Sequence, residues 1–416
     1  MTAPQHPGSL RGLRVIEIST SVAAPFGGQI LGDLGAEVIK VERPAGDDTR
    51  HWAPPAWHGE SIAFMSFNRN KKSIVLDYKT ESGRAVLVDL LRDADVLIQN
   101  LRPGALAKAG FTWEYLHELN PRLVYCEMSG YGHQGPRAQQ PAYDPLLQAY
   151  SGIVSMTGED GGEPSRVPVS LLDMGTGMWM AISALEALRR RDQTGVGCHV
   201  QNSLLQTALT WITSPLIGAA AGNPPPTRLG SGFRGVVPYG AFPTSDGHIF
   251  VSAGNNDIFH RLLGAIDSLD LAGREGFATN PDRVRNRRLV QDTLGERTSR
   301  FTLAALTARL AAAGVPHSPV NTVDMVYEDE QVRALGMLQA LPHAQVADLE
   351  VVNLPATFDG EYVPLTKAPP CLGEDTVEVL RALGRTDDEI DALVDDGAVA
   401  RPFDTAPSPA FPAVLA

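Results

Sequence analysis

Asp173 is one candidate in this chain for covalent chemistry. It lies in the segment PVSLLDMGTGMWMA, flanked by Leu171, Leu172 and Met174, directly before a long helical pattern. Two readings are open on the residues alone. An acidic side chain at a helix start accepts hydrogen bonds from free backbone N–H groups and acts as a cap. A carboxylate among apolar residues can also be a nucleophile, and Gly175 and Gly177 would let a substrate approach the backbone closely. A second set of residues is cationic. Arg43 follows EVIKVE, Arg69, Lys71 and Lys72 lie in FNRNKKSI, Lys79 ends SIVLDYK, and Arg102 and Lys108 lie in NLRPGALAKAG. Gathered at one sheet edge, several of them would make a pocket for a polyanion such as a phosphorylated cofactor. Left apart, they are solvated surface charge.

Missing motifs narrow the chemistry. After the first apolar run the chain reads STSVAAPFGGQ, which is not a GxGxxG dinucleotide fingerprint, and there is no GxxxxGK[ST] phosphate loop. No GxSxG elbow and no HExxH pair occurs either. Cys126, Cys198 and Cys371 sit far apart and offer no zinc-ligand spacing, so they read as buried thiols and no metal site is expected.

The elements that would position these residues are legible as runs and periods. Residues 14–19 (RVIEIS), 37–42 (EVIKVE), 73–79 (SIVLDYK), 95–100 (DVLIQN) and 123–128 (LVYCEM) read as strands. Helical patterns at 25–34 and 81–94 alternate with them. This alternation predicts an α/β fold, a doubly wound Rossmann-like sheet with ligands at the carboxyl ends of its strands. A long helix is expected from Gly175 through Arg191 and another from Asn202. The turn-rich GNPPPT at 222–227 marks a boundary. The predicted organisation is a large α/β domain over 1–222 and a smaller α+β domain over 223–330. Residues 331–400 return to the large domain, and a Pro- and Ala-rich loose tail covers 401–416. Within 223–330, strands at 236–242 and 248–253 flank the turn Ser245-Asp246-Gly247, and helices at 257–267, 285–301 and 303–313 follow.

Composition sets the outer limits. Of 416 residues 43% are hydrophobic and 20% charged, which is globular composition and excludes wholesale disorder. Lys and Arg total 35 against 48 Asp and Glu, a net charge of -13, which argues against a nucleic-acid partner. The longest weakly polar stretches, 208–222 and 175–188, are too short to span a bilayer, and the first residues hold no apolar signal segment. A cytoplasmic protein without a membrane partner is expected.

Taken together and in order, several of these segments resemble the class III coenzyme A transferases, the group of formyl-CoA:oxalate and carnitine CoA-transferases. The likeness rests on LRGLRVIEIST, ILGDLGAEVIKVERPAGDDTR, NRNKKSI, NLRPGALAKAGF, GYGHQGP, Tyr143-Asp144, LLDMGTGM and CLGEDTVEVLRALG, and covers nearly the whole chain. A closer likeness, on GDDTRHWAPP, NRNKKSI, VVPYGAF and SAGNN, is to succinyl-CoA:glutarate-type transferases, which move CoA between dicarboxylic acids. The resemblance implies that Asp173 is the catalytic nucleophile. It places Ser21, Val22, Arg43, Leu76, Asp77, Tyr78, Lys79, Asn100, Leu101, Arg102, Lys108, Pro141, Ala142, Tyr143 and Asp144 on coenzyme-binding positions. It further implies acyl-CoA and carboxylic acid substrates, coenzyme A as substrate and no prosthetic group, and a homodimer of two interlocked rings. The chain departs from the formyl-CoA enzymes at Val22, where they carry glutamine, and at Leu229-Gly230-Ser231-Gly232, which replaces their glycine run. The oxalate-specific part of their site is therefore not expected. Two alternatives stand beside this reading. One is a 2-methylacyl-CoA racemase, whose GHD motif would need a histidine where this chain has Tyr143 of Pro141-Ala142-Tyr143-Asp144. The other is a CoA-binding protein without catalysis.

Overall fold

The computed structural model describes residues 8–402; the greater part of the expected tail, from residue 403, lies outside them. The described chain divides into two compact units, one of residues 8–151, 167–216 and 335–402, the other of residues 152–166 and 217–334.

The first unit is built on a seven-stranded sheet. Its strands are β1 (Arg14–Ile18), β2 (Glu37–Glu42), β3 (Lys71–Leu76), β4 (Val96–Gln99), β5 (Val124–Ser129) and β6 (His199–Ser203), with the short Val399–Ala400 at one edge. The spatial order is Val399–Ala400, β3, β2, β1, β4, β5, β6. All pair in parallel except Val399–Ala400, which runs antiparallel to β3. The connecting helices that matter for the site are α1 (Ala23–Asp33), α2 (Glu81–Arg92), α3 (Asp144–Tyr150), α4 (Leu171–Thr194) and α5 (Leu204–Trp211). Alternation along each strand sends side chains to two cores. Ile16, Ile39, Ile74 and Leu97 pack with Val86, Leu87 and Leu90 of α2, whereas Val15, Val38 and Ile98 pack with Leu31 of α1 and Met180 and Ala184 of α4. Neighbours lie on opposite sides of β1, so the strand order reverses between β1 and β4, where sheets of this kind open a crevice at their carboxyl edge.

Several element limits differ from the sequence reading, two of them at the site. The third strand begins at Lys71 and ends at Leu76. Asp77–Lys79 instead form a turn, because Thr80 caps α2 by accepting from the Gly83 N–H while its own N–H donates to the Asp77 carbonyl. The long helix starts at Leu171 rather than at Gly175, which puts Asp173 inside its first turn.

The second unit is α+β. Tyr239–Pro243, His248–Ser252 and His317–Pro319 form an antiparallel sheet. Helices Asn256–Ala265, Arg287–Thr298 and Leu303–Ala312 cover it through Phe259, Leu262, Val290 and Leu306. The helical pattern read as 285–301 is split at Asn286, which ends Asn280–Arg285. Residues 152–166 join this unit because Gly158 and Gly162 carbonyls accept from the Gly230 N–H and Arg228 Nε, each at 2.9 Å. Among the described residues no helix is long and apolar enough to cross a membrane.

Candidate active site

The crossover from β5 through α4 to β6 must start at the carboxyl edge of the sheet, since β6 runs parallel to β5. The first turn of α4, and Asp173 with it, therefore sits at the carboxyl edge of the sheet. Asp173 is half-buried, and burial first and then the charge of Asp144 push its carboxyl up to about 7. It is not a cap: Ser170 holds that place, and no side chain of Ser170 caps the helix. The cap comes instead from Asp144, whose Oδ2 accepts from the Leu172 N–H at 2.6 Å and the Asp173 N–H at 3.1 Å.

The flanking glycines serve packing rather than substrate access. A Cβ on Gly177 would lie 2.5 Å from the Ala23 carbonyl oxygen, so Gly177 is where α4 crosses α1. One on Gly175 would lie 3.0 Å from Thr207 Cγ2 and from Trp211 Nε1 on α5. Both glycines are inside α4, where backbone N–H groups are held by the helix ladder.

At the ends of β1 to β4 lies a cleft of about 110 Å³ lined by Ser19, Thr20, Arg43, Asp48, Tyr78 and Leu101, among others. Its floor is the turn after β1, where Ser21 takes a left-handed conformation with φ 70°. Such a φ is costly for serine, and the surroundings over-determine it. Asn100 bonds both backbone groups of Thr20, at 3.0 and 2.8 Å, and Asp47 Oδ1 accepts from the Ser21 N–H at 3.1 Å. Arg43 donates Nε to the Gly46 carbonyl at 3.0 Å and pairs with Asp48.

The structure brings only some of the expected coenzyme positions to the surface. Lys79, Arg102, Lys108, Pro141 and Tyr143 are exposed, and Ser21, Asp77, Tyr78, Asn100, Leu101 and Ala142 are half-buried. Val22, Leu76 and Asp144 are buried. Ala142 is seated by Gly130, where a Cβ would lie 2.1 Å from that of Ala142.

Of the FNRNKKSI cations, Arg69 and Lys71 take neither role that the sequence left open, and Lys72 stays near the surface. Arg69 forms a buried two-pronged pair with Asp33, at 3.1 and 2.5 Å. Lys71 is buried against Glu17 at 2.9 Å, and Lys72, half-buried, pairs with Glu37 and Glu378. The reason is topological: residues that open a parallel strand lie at the edge opposite those that follow it. Sequence reasoning missed the network this creates. Glu17 and Lys40 face each other in register on β1 and β2, bonded at 3.0 Å, and Lys40 pairs with Asp47 at 2.8 Å. Burial disfavours the Lys40 charge, yet Asp47 and Glu17 hold its pKa above the ordinary lysine value. Asp47 is the link from this buried charge to the strained Ser21 turn. Opposite charges at core-strand positions of RVIEIS and EVIKVE were the available signal.

The first unit is thus a doubly wound α/β sheet with a half-buried aspartate at its carboxyl edge, and the comparisons with known proteins give its family. The model of CoA-transferase family III matches residues 10–376. The human succinyl-CoA:glutarate CoA-transferase is 34% identical over 392 residues, covering 94% of this chain and 90% of that protein. The succinate–glutarate CoA-transferase of Agrobacterium fabrum is 34% identical over 91% of this chain and 97% of its own length. Among solved structures, a CAIB/BAIF family protein from Brucella suis superposes with a TM-score of 0.84 at 36% identity, over 91% of this chain and 100% of that one. The chain belongs to CoA-transferase family III and is a transferase enzyme.

Proposed function

We propose that this enzyme moves coenzyme A from an acyl-CoA, such as succinyl-CoA, to a dicarboxylic acid through covalent intermediates on Asp173. The observation that carries the reading is the Asp173 carboxyl itself, half-buried at the carboxyl edge of the sheet and raised to about 7. A carboxylate kept basic in this way is a better nucleophile than an exposed one and is still ionised in part at neutral pH. Its oxygen attacks the thioester carbonyl, the C–S bond breaks, and an acyl-aspartyl anhydride and CoA thiolate result. The thiolate attacks the Asp173 acyl carbon, releasing the donor acid and leaving an aspartyl-CoA thioester. The acceptor carboxylate attacks that thioester, giving a new anhydride and thiolate. The thiolate then attacks the acceptor's acyl carbon, which frees acceptor-CoA and the Asp173 carboxylate. The relatives named for glutarate support a dicarboxylate acceptor.

Coenzyme binding is proposed for the carboxyl-edge positions. Lys79, Arg102 and Lys108 offer exposed cations to the nucleotide phosphates, and Arg43 joins them by leaving Asp48. Ser21, Asp77, Tyr78, Asn100 and Leu101 line the edge, while Pro141, Ala142 and Tyr143 approach from the loop before α3. Val22 and Leu76 support this surface from below. The working form is proposed to be the interlocked homodimer in the cytoplasm. Exposed Trp179 and Ile182 on α4 and Trp211 on α5 support a partner copy over this face.

The test is a mass-spectrometric assay of CoA exchange across a panel of mono- and dicarboxylic acids. Exchange confined to monocarboxylates, or none, rejects the reading. Lys79→Glu and Lys108→Glu are each expected to raise KM for acyl-CoA about tenfold while kcat stays within about twofold, because phosphate pairs act equally in ground and transition states. Steady-state kinetics decides it; a fall in kcat at constant KM would remove these lysines from the coenzyme site.

A further inference from the structure

The geometry points to Asp144 as a positioning residue, which holds the first turn of α4 from outside the helix and so keeps the Asp173 carboxylate placed and nucleophilic. This rests on Asp173 being the nucleophile.

Every N–H in the first turn of α4 has a partner. Leu171 donates to the Val169 carbonyl and Met174 to that of Ser170. The remaining two, Leu172 and Asp173, both donate to Asp144 Oδ2. Asp144 is 3% exposed, and its other oxygen, Oδ1, accepts from Gln148 Nε2 at 2.6 Å. Gln148, fully buried, accepts in turn from the Val167 N–H at 2.9 Å. One end of α3 is thus bonded to the start of α4 and, a turn later, to the chain leading into it.

The consequence is electrostatic. An aspartate at this place in a helix is ordinarily stabilised as the anion by free N–H groups and the positive helix end, which lowers its basicity. Here those groups point to Asp144, and a second carboxylate charge lies beside the first. Asp173 is deprived of amide stabilisation and remains a strong base for its type. Few other charges oppose this. Of the main elements packed on α4, α5 carries no ionisable group, and α1 carries Asp33, which pairs with Arg69. On β5 and β6, Glu127 and His199 bond each other at 3.1 Å, beside Tyr125 and Cys126, and α3 adds Tyr150.

The experiment compares the full-length enzyme with Asp144→Asn, whose amide oxygen still accepts from the helix but bears no charge. Two quantities are read: the titration of Asp173 by ¹³C NMR of carboxyl-labelled protein, assigned with Asp173→Asn, and the pH profiles of kcat and kcat/KM. The Asp173 midpoint in Asp144→Asn is expected about one pH unit or more below wild type, with the acid limb following and KM for acyl-CoA within about twofold. An unmoved midpoint and acid limb would make Asp144 a structural cap alone. A tenfold rise in KM at constant kcat would make it a coenzyme contact. A wild-type Asp173 that titrates near 4 also overturns the proposal, whether or not the variant folds. Failure of the nucleophile reading shows separately, as wild-type enzyme that yields no hydroxamate at residue 173 when acyl-CoA and hydroxylamine are added.

Discussion

Asp173→Asn is expected to lower CoA exchange by about 10⁴-fold or more while leaving the fold intact, because the carboxylate proposed to form the anhydride is gone. The same substitution is expected to stabilise the protein above neutral pH. The wild-type carboxyl is raised from 3.8 to about 7 in the folded state, by burial and by Asp144. Below pH 3.8 both folded and unfolded states hold the proton, and the group contributes nothing. As pH rises from there to about 7, the unfolded chain loses its proton first, and wild-type stability falls. Above pH 7 the whole penalty is present, and the neutral asparagine removes it, a gain of up to roughly 4 kcal/mol. Chemical denaturation at pH 8 and at pH 4 reads this directly, with the gain at pH 8 and little of it at pH 4. An ordinary helix cap would show no such gain, since asparagine caps a helix about as well as aspartate. Retained turnover in this variant would end the covalent mechanism.

Replacing Glu17 is expected to have the largest effect on stability. Glu17 is fully buried, and its Oε1 accepts from Lys40 at 3.0 Å, Lys71 at 3.2 Å and the Ser19 hydroxyl at 2.8 Å. Burial already pushes the Lys71 ammonium down to about 8, against the pull of Glu17. Glu17→Gln leaves two buried ammonium groups with less countercharge, and breaking a buried pair on one side costs about 3–5 kcal/mol. The fit leaves little room for relaxation, since a Cβ on Gly28 would lie 2.0 Å from Glu17 Oε2. Lys40 is also the support of Asp47, and Asp47 the support of the Ser21 turn, so coenzyme affinity should fall with stability. The double variant Glu17→Gln, Lys71→Met, which removes one stranded charge, should recover part of the loss. Denaturation midpoints of the two variants and wild type measure this. A loss under about 1 kcal/mol for the single variant would mean that the network relaxes around its missing member.

The strand EVIKVE lies at the limits read from its apolar run, and RVIEIS ends one residue early, at Ile18, because a strand's extent depends largely on its own residues and on which face is buried. Asp173 was legible as a candidate for the same local reason, a carboxylate at the start of an apolar helix. That it is not the cap was not legible. The groups that take the cap's place, Asp144 and Gln148, lie on another helix, and the Asp144 contact to the Asp173 amide spans 29 residues. Gly175 and Gly177 were misread for a related cause. A missing side chain signals close approach, and the sequence does not say of what; here it is α5 and α1.

The order of strands and helices, the carboxyl-edge location of Arg43, Lys79, Arg102 and Lys108, and the identity of the nucleophile candidate follow from the chain read in one dimension, since they depend on period, caps and connection rules. Which charges are buried, and what each one faces, does not. Arg69 and Lys71 look like the exposed cations around them until the fold places Asp33 and Glu17 against them. The proton affinity of Asp173 is of the same kind. It depends on desolvation and on one carboxylate brought in from α3, and both exist only once the helices are packed.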